Sequence, residues 1–231
     1  MDFRDRHVVV TGGTGALGAA VVGALLERGA SCHVPYVVAA EAQHFAHRGH
    51  ERVRLVAVGS LADEAPVAEL YGAVKPLWAS IHIAGGFAMS PLAQTGKAAL
   101  MAQLEMNLVS CFLCCRAAVQ AMAGAGGRIV NVAARPALEP RLGAGMAAYT
   151  VSKAGVAALT QALAQEVAAA GILVNGVVPS IMDTPTNRRD MPKADHAAWP
   201  KVDEVAATIL FLASPENKVT RGALVPVYGR S

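Results

Sequence analysis

The chain has 231 residues, of which 54% are hydrophobic and 16% are charged, and its formal net charge is +3. A disordered chain needs low hydrophobicity and high charge, so this composition excludes one. The basic residues are scattered along the chain and form no patch of the kind that binds nucleic acid. The length fits a single domain, and we expect residues 1–231 to form one.

An uncharged stretch at residues 8–26 is long enough to span a membrane. It begins with a β-branched run at 8–10, continues through glycines at 12, 13 and 15, and ends in an Ala/Leu/Val segment. This order indicates a strand, a turn and a buried helix, so we expect no membrane span. Charged residues before the first apolar run argue against a signal peptide, and the four cysteines form no disulfide framework. We therefore predict a reduced, cytoplasmic protein.

Short β-branched runs alternate with longer Ala/Leu-rich runs along the whole chain. The predicted strands lie at 7–11, 31–36, 52–58, 79–83, 128–132, 172–178 and 223–227. The predicted helices lie at 16–28, 39–48, 63–74, 98–123, 147–170 and 203–213. The strands are uniformly apolar, as is typical when helices cover both faces of a sheet. The pattern predicts an α/β fold, a doubly wound parallel sheet of about seven strands.

A glycine-rich turn joins the first predicted strand to the first predicted helix. Gly13, Gly15 and Gly18 have the spacing G-x-G-x-x-G in the strand–turn–helix context that this motif requires. Glycine lets the backbone approach a pyrophosphate closely, and free N–H groups at the start of the helix attract phosphate. The turn therefore predicts a nucleotide cofactor.

Tyr149 and Lys153 are four residues apart at the start of a long helical pattern, so they lie on one helix face. A free phenol titrates at about pH 10, and a nearby ammonium favours the phenolate. We therefore interpret the pair as a general acid/base unit.

In order and spacing, these features resemble the short-chain dehydrogenase/reductase family over nearly the whole chain. The matching segments include Thr11-Gly12-x-x-Gly15-x-x-Gly18, Ala84-Gly85-Gly86, Met106-Asn107-Leu108, Tyr149-x-x-x-Lys153 and Asp183-Thr184-Pro185. The resemblance implies a Rossmann-like domain, NAD or NADP as the cofactor, and interconversion of a carbonyl and an alcohol on a small-molecule substrate. Family members commonly pair their two long helices, here 98–123 and 147–170, between subunits. A homotetramer or homodimer is therefore expected.

The resemblance also implies roles for single residues. Tyr149 would exchange a proton with the substrate oxygen, Lys153 would bind the nicotinamide ribose and lower the Tyr149 pKa, and Asn107 would hold a water in the proton relay. Asn131 would bond the backbone between strands. The expected cofactor contacts are Gly12, Gly15, Leu17, Gly18, Tyr36, Ala84, Gly85, Tyr149, Lys153, Pro179, Ile181 and Thr184.

The chain departs from the family pattern at several positions, among them the catalytic serine and the acid of the cofactor site. Family members carry a serine after the fifth strand, but this chain has Ala134 there, and no Ser or Thr occurs between Asn131 and Tyr149. Arg135 is either the replacement for the serine or a solvated loop arginine. At the end of the second strand, where NAD-preferring members carry an acid, the chain has Tyr36. The sequence therefore leaves the choice between NAD and NADP open.

We interpret two further clusters, one of histidines and one of cysteines, as structural features and not as metal sites. Histidines recur at 44, 47 and 50, which fits a solvated helix end, and cysteines at 111, 114 and 115 fit small hydrophobes packed in a helix. The loop after Pro179 is short, which predicts an open pocket or one completed by a neighbouring subunit.

Two functions fit these residues. The first is an NAD(P)-dependent oxidoreductase, favoured because Tyr149, Lys153 and Asn107 are retained together. The alternative is a catalytically weak or silent family member that senses a cofactor or serves as a binding subunit. Its support is the missing serine together with the altered cofactor positions.

Overall fold

Seven parallel strands form one sheet in the computed structural model, which describes residues 1–231. The strands are β1 (His7–Thr11), β2 (Ser31–Tyr36), β3 (Val53–Ala57), β4 (Leu77–His82), β5 (Gly127–Val132), β6 (Ile172–Pro179) and β7 (Leu224–Val227). Their order across the sheet is β3-β2-β1-β4-β5-β6-β7, and every neighbouring pair is parallel. The predicted α/β fold with a parallel sheet is confirmed.

Helices cover both faces of this sheet. They are α1 (Ala16–Leu26), α2 (Ala39–His44), α3 (Glu64–Gly72), α4 (Lys97–Leu104), α5 (Ser110–Ala121), α6 (Arg135–Leu138), α7 (Ala147–Glu166), α8 (Pro185–Asp190) and α9 (Val202–Ala213). One face of the sheet packs against α1 and α9, and the other packs against α3, α5 and α7. Each interface is a continuous layer of buried apolar side chains, which explains why the strands are apolar throughout.

The predicted helix at 98–123 is one helical run with a π-helical turn, Glu105–Val109, between α4 and α5. Such turns often occur at functional sites, and buried Asn107 lies in this one. The run Lys97–Ala121 is long and apolar enough to cross a membrane by length and composition. The face of α5 that carries its cysteines is nevertheless buried against the sheet. The stretch at 8–26 forms β1, the glycine turn and α1, as predicted.

Helix α2 ends four residues before its predicted end, because the chain turns extended at Phe45. His47 and His50 therefore lie outside the helix. The His44 ring bonds the Ala40 carbonyl at 2.7 Å, and the His47 ring bonds the Ala19 carbonyl at 3.2 Å. The predicted end of this helix, at residue 48, is therefore wrong.

The segment after β6 contains more structure than the sequence predicts. The Thr184 hydroxyl oxygen accepts the Asn187 amide at 3.2 Å and so caps α8. Arg188 forms a bidentate ion pair with Asp183, in which the Arg188 Nη2 lies 2.8 Å from the Asp183 Oδ2. These bonds join residues three to five apart, so they order the segment locally.

The order of the strands reverses between β1 and β4, and ligands bind at the carboxyl edge of such a reversal. Gly12 follows β1 there, Tyr36 ends β2, Ala84 follows β4 and Ala134 follows β5. The topology thus gathers segments that are far apart in sequence at one edge of the sheet.

Candidate active site

The glycines of the turn have different steric reasons to be glycine. Gly12 has a φ of +67°, and a Cβ there would lie 2.6 Å from the amide nitrogen of Ala84. A Cβ on Gly18 would overlap the backbone of Gly12 and Gly13. A Cβ on exposed Gly15 would make only an ordinary contact of 3.5 Å, to the Gly12 carbonyl. Gly12 and Gly18 therefore close the turn, whereas the space beside Gly15 is open to an outside group.

The first turn of α1 presents unpaired donors next to this space. The amides of Ala16, Leu17 and Gly18 have no acceptor in the chain, no side chain caps the helix, and no acidic residue occupies its first turn. Helix amides in this position attract phosphate. The Leu17 side chain is buried in the core, so only its backbone is available. These residues fit the diphosphate of a dinucleotide cofactor.

Tyr149 and Lys153 share one face of α7, but their environments differ from the expected ones. The Tyr149 ring packs edge-on against Phe87 with centroids 5.0 Å apart, and burial raises the pKa of Tyr149 to about 12. The Lys153 ammonium donates to the Val132 carbonyl at 2.9 Å, and burial lowers the pKa of Lys153 to about 8. Without a cofactor, the pKa of Tyr149 is therefore raised and not lowered as expected from Lys153, because desolvation of the phenol dominates.

Asn107 faces Lys153 across the backbone of Gly85. Its Nδ2 donates to the Gly86 carbonyl at 3.0 Å and to the Ser152 hydroxyl at 3.1 Å, and its Oδ1 accepts the Gly86 amide at 3.0 Å. A Cβ on Gly85 would overlap that Oδ1 and lie 3.4 Å from the Lys153 Nζ. The structure thus brings Asn107, Lys153 and Gly85 together. That Asn107 holds a water stays a prediction.

Ala134 is buried and extended, directly before α6. The next residue, Arg135, makes two hydrogen bonds of 3.1 Å to the Glu139 carboxylate. Its Nη1 donates to the Ser231 carbonyl at 2.8 Å, and its guanidinium lies 4.6 Å from the centre of the Tyr228 ring. Arg135 is therefore held by defined partners rather than solvated, and neither Tyr149 nor Lys153 is among them.

The remaining predicted cofactor contacts lie at the same edge. Tyr36 is half-buried at the end of β2, and Pro179 is buried at the end of β6. Ile181 is 45% exposed, and Thr184 is half-buried before α8. The Ala84 amide already has a partner within the chain, since it donates to the Thr11 carbonyl at the end of β1 at 3.1 Å.

A buried polar cluster was not predicted from the sequence, although its signal was His82 in place of the usual family asparagine. The side-chain atoms of His82, Cys111 and Cys115 that could bind a metal lie within 4.8 Å of one another. The Asn131 Nδ2 donates a hydrogen bond to the Thr160 hydroxyl oxygen at 2.9 Å, so the Asn131 Oδ1 accepts a hydrogen bond from the His82 Nδ1 at 2.8 Å. That nitrogen has no free lone pair for a metal, and the cluster is a hydrogen-bonded part of the core. Asn131 thus bonds side chains, and the expected bond to strand backbone is wrong.

Comparison with known proteins supplies the family. Residues 6–195 match the family model described as short chain dehydrogenase. The chain is 34% identical to cis-4-hydroxycyclohexanecarboxylate dehydrogenase of Sinomonas cyclohexanicum, over 98% of this chain and 96% of that protein. It is 32% identical to acetoacetyl-CoA reductase of Allochromatium vinosum, over 97% of each chain.

A solved structure of a short-chain dehydrogenase/reductase of the glucose/ribitol dehydrogenase type from Brucella melitensis has a similar fold. Its TM-score is 0.87 at 25% identity, over 100% of this chain and 98% of that one. Because its relatives match it from end to end, the chain belongs to the short-chain dehydrogenase/reductase family of oxidoreductases.

Proposed function

We propose that this oxidoreductase interconverts a carbonyl and an alcohol on a small substrate, with Tyr149 as the proton donor and acceptor. The proposal rests on one observation above all. Tyr149 lies in the first turn of α7, with Lys153 on the same helix face and Asn107 next to that lysine across Gly85. The glycine turn lies at the same edge of the sheet.

The cofactor, NAD or NADP, supplies or accepts a hydride at the substrate carbon when it is bound. Gly12, Gly15 and the amides at the start of α1 would hold its diphosphate. Lys153 would hold the nicotinamide ribose, and Ile181 and Thr184 would contact the carboxamide. The Thr184 oxygen already accepts the Asn187 amide, so its hydroxyl proton is the part left to donate.

The high pKa of Tyr149, about 12, keeps the phenol protonated at neutral pH. A neutral phenol is the form that donates a proton to a carbonyl oxygen, so the chain's own groups favour carbonyl reduction. Alcohol oxidation needs the phenolate as the base, and a charged Lys153 close to the phenol would stabilise it. We therefore expect oxidation to accelerate as the pH rises toward 8, since the pKa of Lys153 is about 8 and its charge is lost above that value.

Ala134 leaves the reacting oxygen without the serine hydroxyl that the family normally provides. Loss of one preorganised donor typically costs a factor of ~10²–10³ in rate. We propose that Tyr149 alone holds the substrate oxygen and that turnover is correspondingly slow. The missing serine supports the silent alternative, but we favour the enzyme because Lys153 and Asn107 lie beside Gly85 and the relatives are named as dehydrogenases and reductases.

Replacement of Tyr149 by Phe tests this proposal. With a panel of small ketones and aldehydes, we expect turnover to fall by at least ~100-fold, because general acid catalysis is lost. The contact with Phe87 is retained, so the Kd for the reduced cofactor should stay within about twofold. Turnover equal to that of the wild type would contradict the role of Tyr149. A parallel loss of cofactor binding would assign Tyr149 a role in holding the cofactor instead.

A further inference from the structure

Glu41 reaches from α2 back to the glycine turn. Its Oε2 accepts a hydrogen bond of 2.9 Å from the Thr14 hydroxyl. The residue is exposed, and no Lys, Arg or His side chain forms an ion pair with it. Thr14 directly precedes Gly15, so this unneutralised carboxylate stands next to the open space where the cofactor diphosphate would lie.

The two segments that carry Thr14 and Glu41 contain no positively charged side chain. The turn at 11–18 contains no Lys or Arg, and neither do residues 34–41, which follow β2 to its end and enter α2. The next arginine or lysine along the chain, Arg48, lies beyond α2 and donates to the Gln43 carbonyl at 2.9 Å. Sites that take NADP have an arginine near the ribose, because the 2′-phosphate is anionic.

We propose that Glu41 selects the cofactor: its carboxylate receives a ribose hydroxyl of the adenosine half of NAD(H) and repels the 2′-phosphate of NADP(H). An ionised carboxylate has about four acceptor positions, so the bond from Thr14 leaves others free for the ribose. That bond also fixes the direction of the carboxylate. Glu41 thus takes the place of the acid that is missing at Tyr36. The inference rests on the proposed function and identifies the enzyme as specific for NAD(H).

Titration with NADH and NADPH, followed by nicotinamide fluorescence, measures the two Kd values directly. For the wild type we expect the Kd for NADPH to exceed that for NADH by at least about tenfold, or about 1.4 kcal/mol. The variant Glu41→Gln keeps the shape and an acceptor but loses the charge, so the ratio should fall below about threefold. Glu51→Gln removes another exposed carboxylate and is the matched control, which should keep the wild-type ratio.

Salt gives an independent readout of the repulsion. Raising the ionic strength from about 10 mM to about 500 mM screens exposed charges, so it should lower the wild-type ratio and leave the Glu41→Gln ratio unchanged. A wild type that binds NADPH as tightly as NADH would overturn the inference. So would a Glu41→Gln variant with the wild-type ratio. Binding of neither cofactor would instead contradict the proposed function, and the inference would fall with it.

Discussion

Lys153 is a buried ammonium with one hydrogen bond, to the Val132 carbonyl. Burial lowers its pKa from 10.5 to about 8. Between these two values the unfolded chain binds a proton that the folded chain has released. The free energy of unfolding therefore rises with pH across this window. Near neutral pH the same group is charged and buried, which destabilises the fold.

The variant Lys153→Met isolates this contribution. The free energy of unfolding of the wild type minus that of the variant should rise by about 2 kcal/mol between about pH 7 and about pH 9.5. Urea denaturation at both pH values measures it. Lys218 is exposed, and Lys218→Met is the control, for which the difference should stay constant. A constant or falling difference for Lys153→Met would show that its ammonium is not desolvated in the fold.

The sequence could reveal some residues of the site but not their environments. Tyr149 and Lys153 are marked by their spacing along the chain, and the missing serine at Ala134 is marked by the resemblance to the family. The contact between Thr14 and Glu41 joins residues separated by α1 and β2, and no local pattern marks it. The high pKa of Tyr149 likewise depends on burial by neighbouring segments, which spacing does not report.

At the scale of the element, the glycine turn folds the backbone tightly at Gly12 and Gly18 and leaves space for a ligand beside Gly15. Gly15→Ala should leave the free energy of unfolding within about 1 kcal/mol of the wild type, because the chain has room for the methyl group. The methyl group would occupy the space beside the α1 amides, so the Kd for NADH should rise at least about tenfold. Calorimetric titration and urea denaturation measure the two quantities.

Gly18→Ala is the contrasting variant. Its Cβ would overlap the turn backbone, so it should lower the free energy of unfolding by about 1–3 kcal/mol. If Gly15→Ala binds NADH as tightly as the wild type, the open space is not the phosphate site.

Among the elements, the strands were predicted to within two residues at each end, because β-branched apolar runs have clear ends. The helices were harder. α2 was predicted too long, and α6 and α8 were missed. α8 begins with a single capping hydroxyl and an adjacent ion pair, and neither feature produces a repeating pattern in the sequence. The π-helical turn that carries Asn107 also leaves no mark in the apolar pattern.

For the whole molecule, the alternation of strands and helices was enough to predict the parallel sheet. Helical connections between parallel strands are right-handed, and they place helices on both faces of the sheet. The pairing of subunits stays a prediction. Phe112 on α5 is 50% exposed and Val151 on α7 is 54% exposed, on the two helices that the resemblance pairs between subunits. The single domain and the cytoplasmic location also stay predictions.

Calorimetric titration of the purified wild-type chain with NADH and with NADPH tests the central claim most directly. The geometry of the glycine turn predicts saturable binding of NADH with a micromolar Kd and one cofactor per chain. Absence of binding of either cofactor at millimolar concentration would contradict the assignment of a working dehydrogenase site.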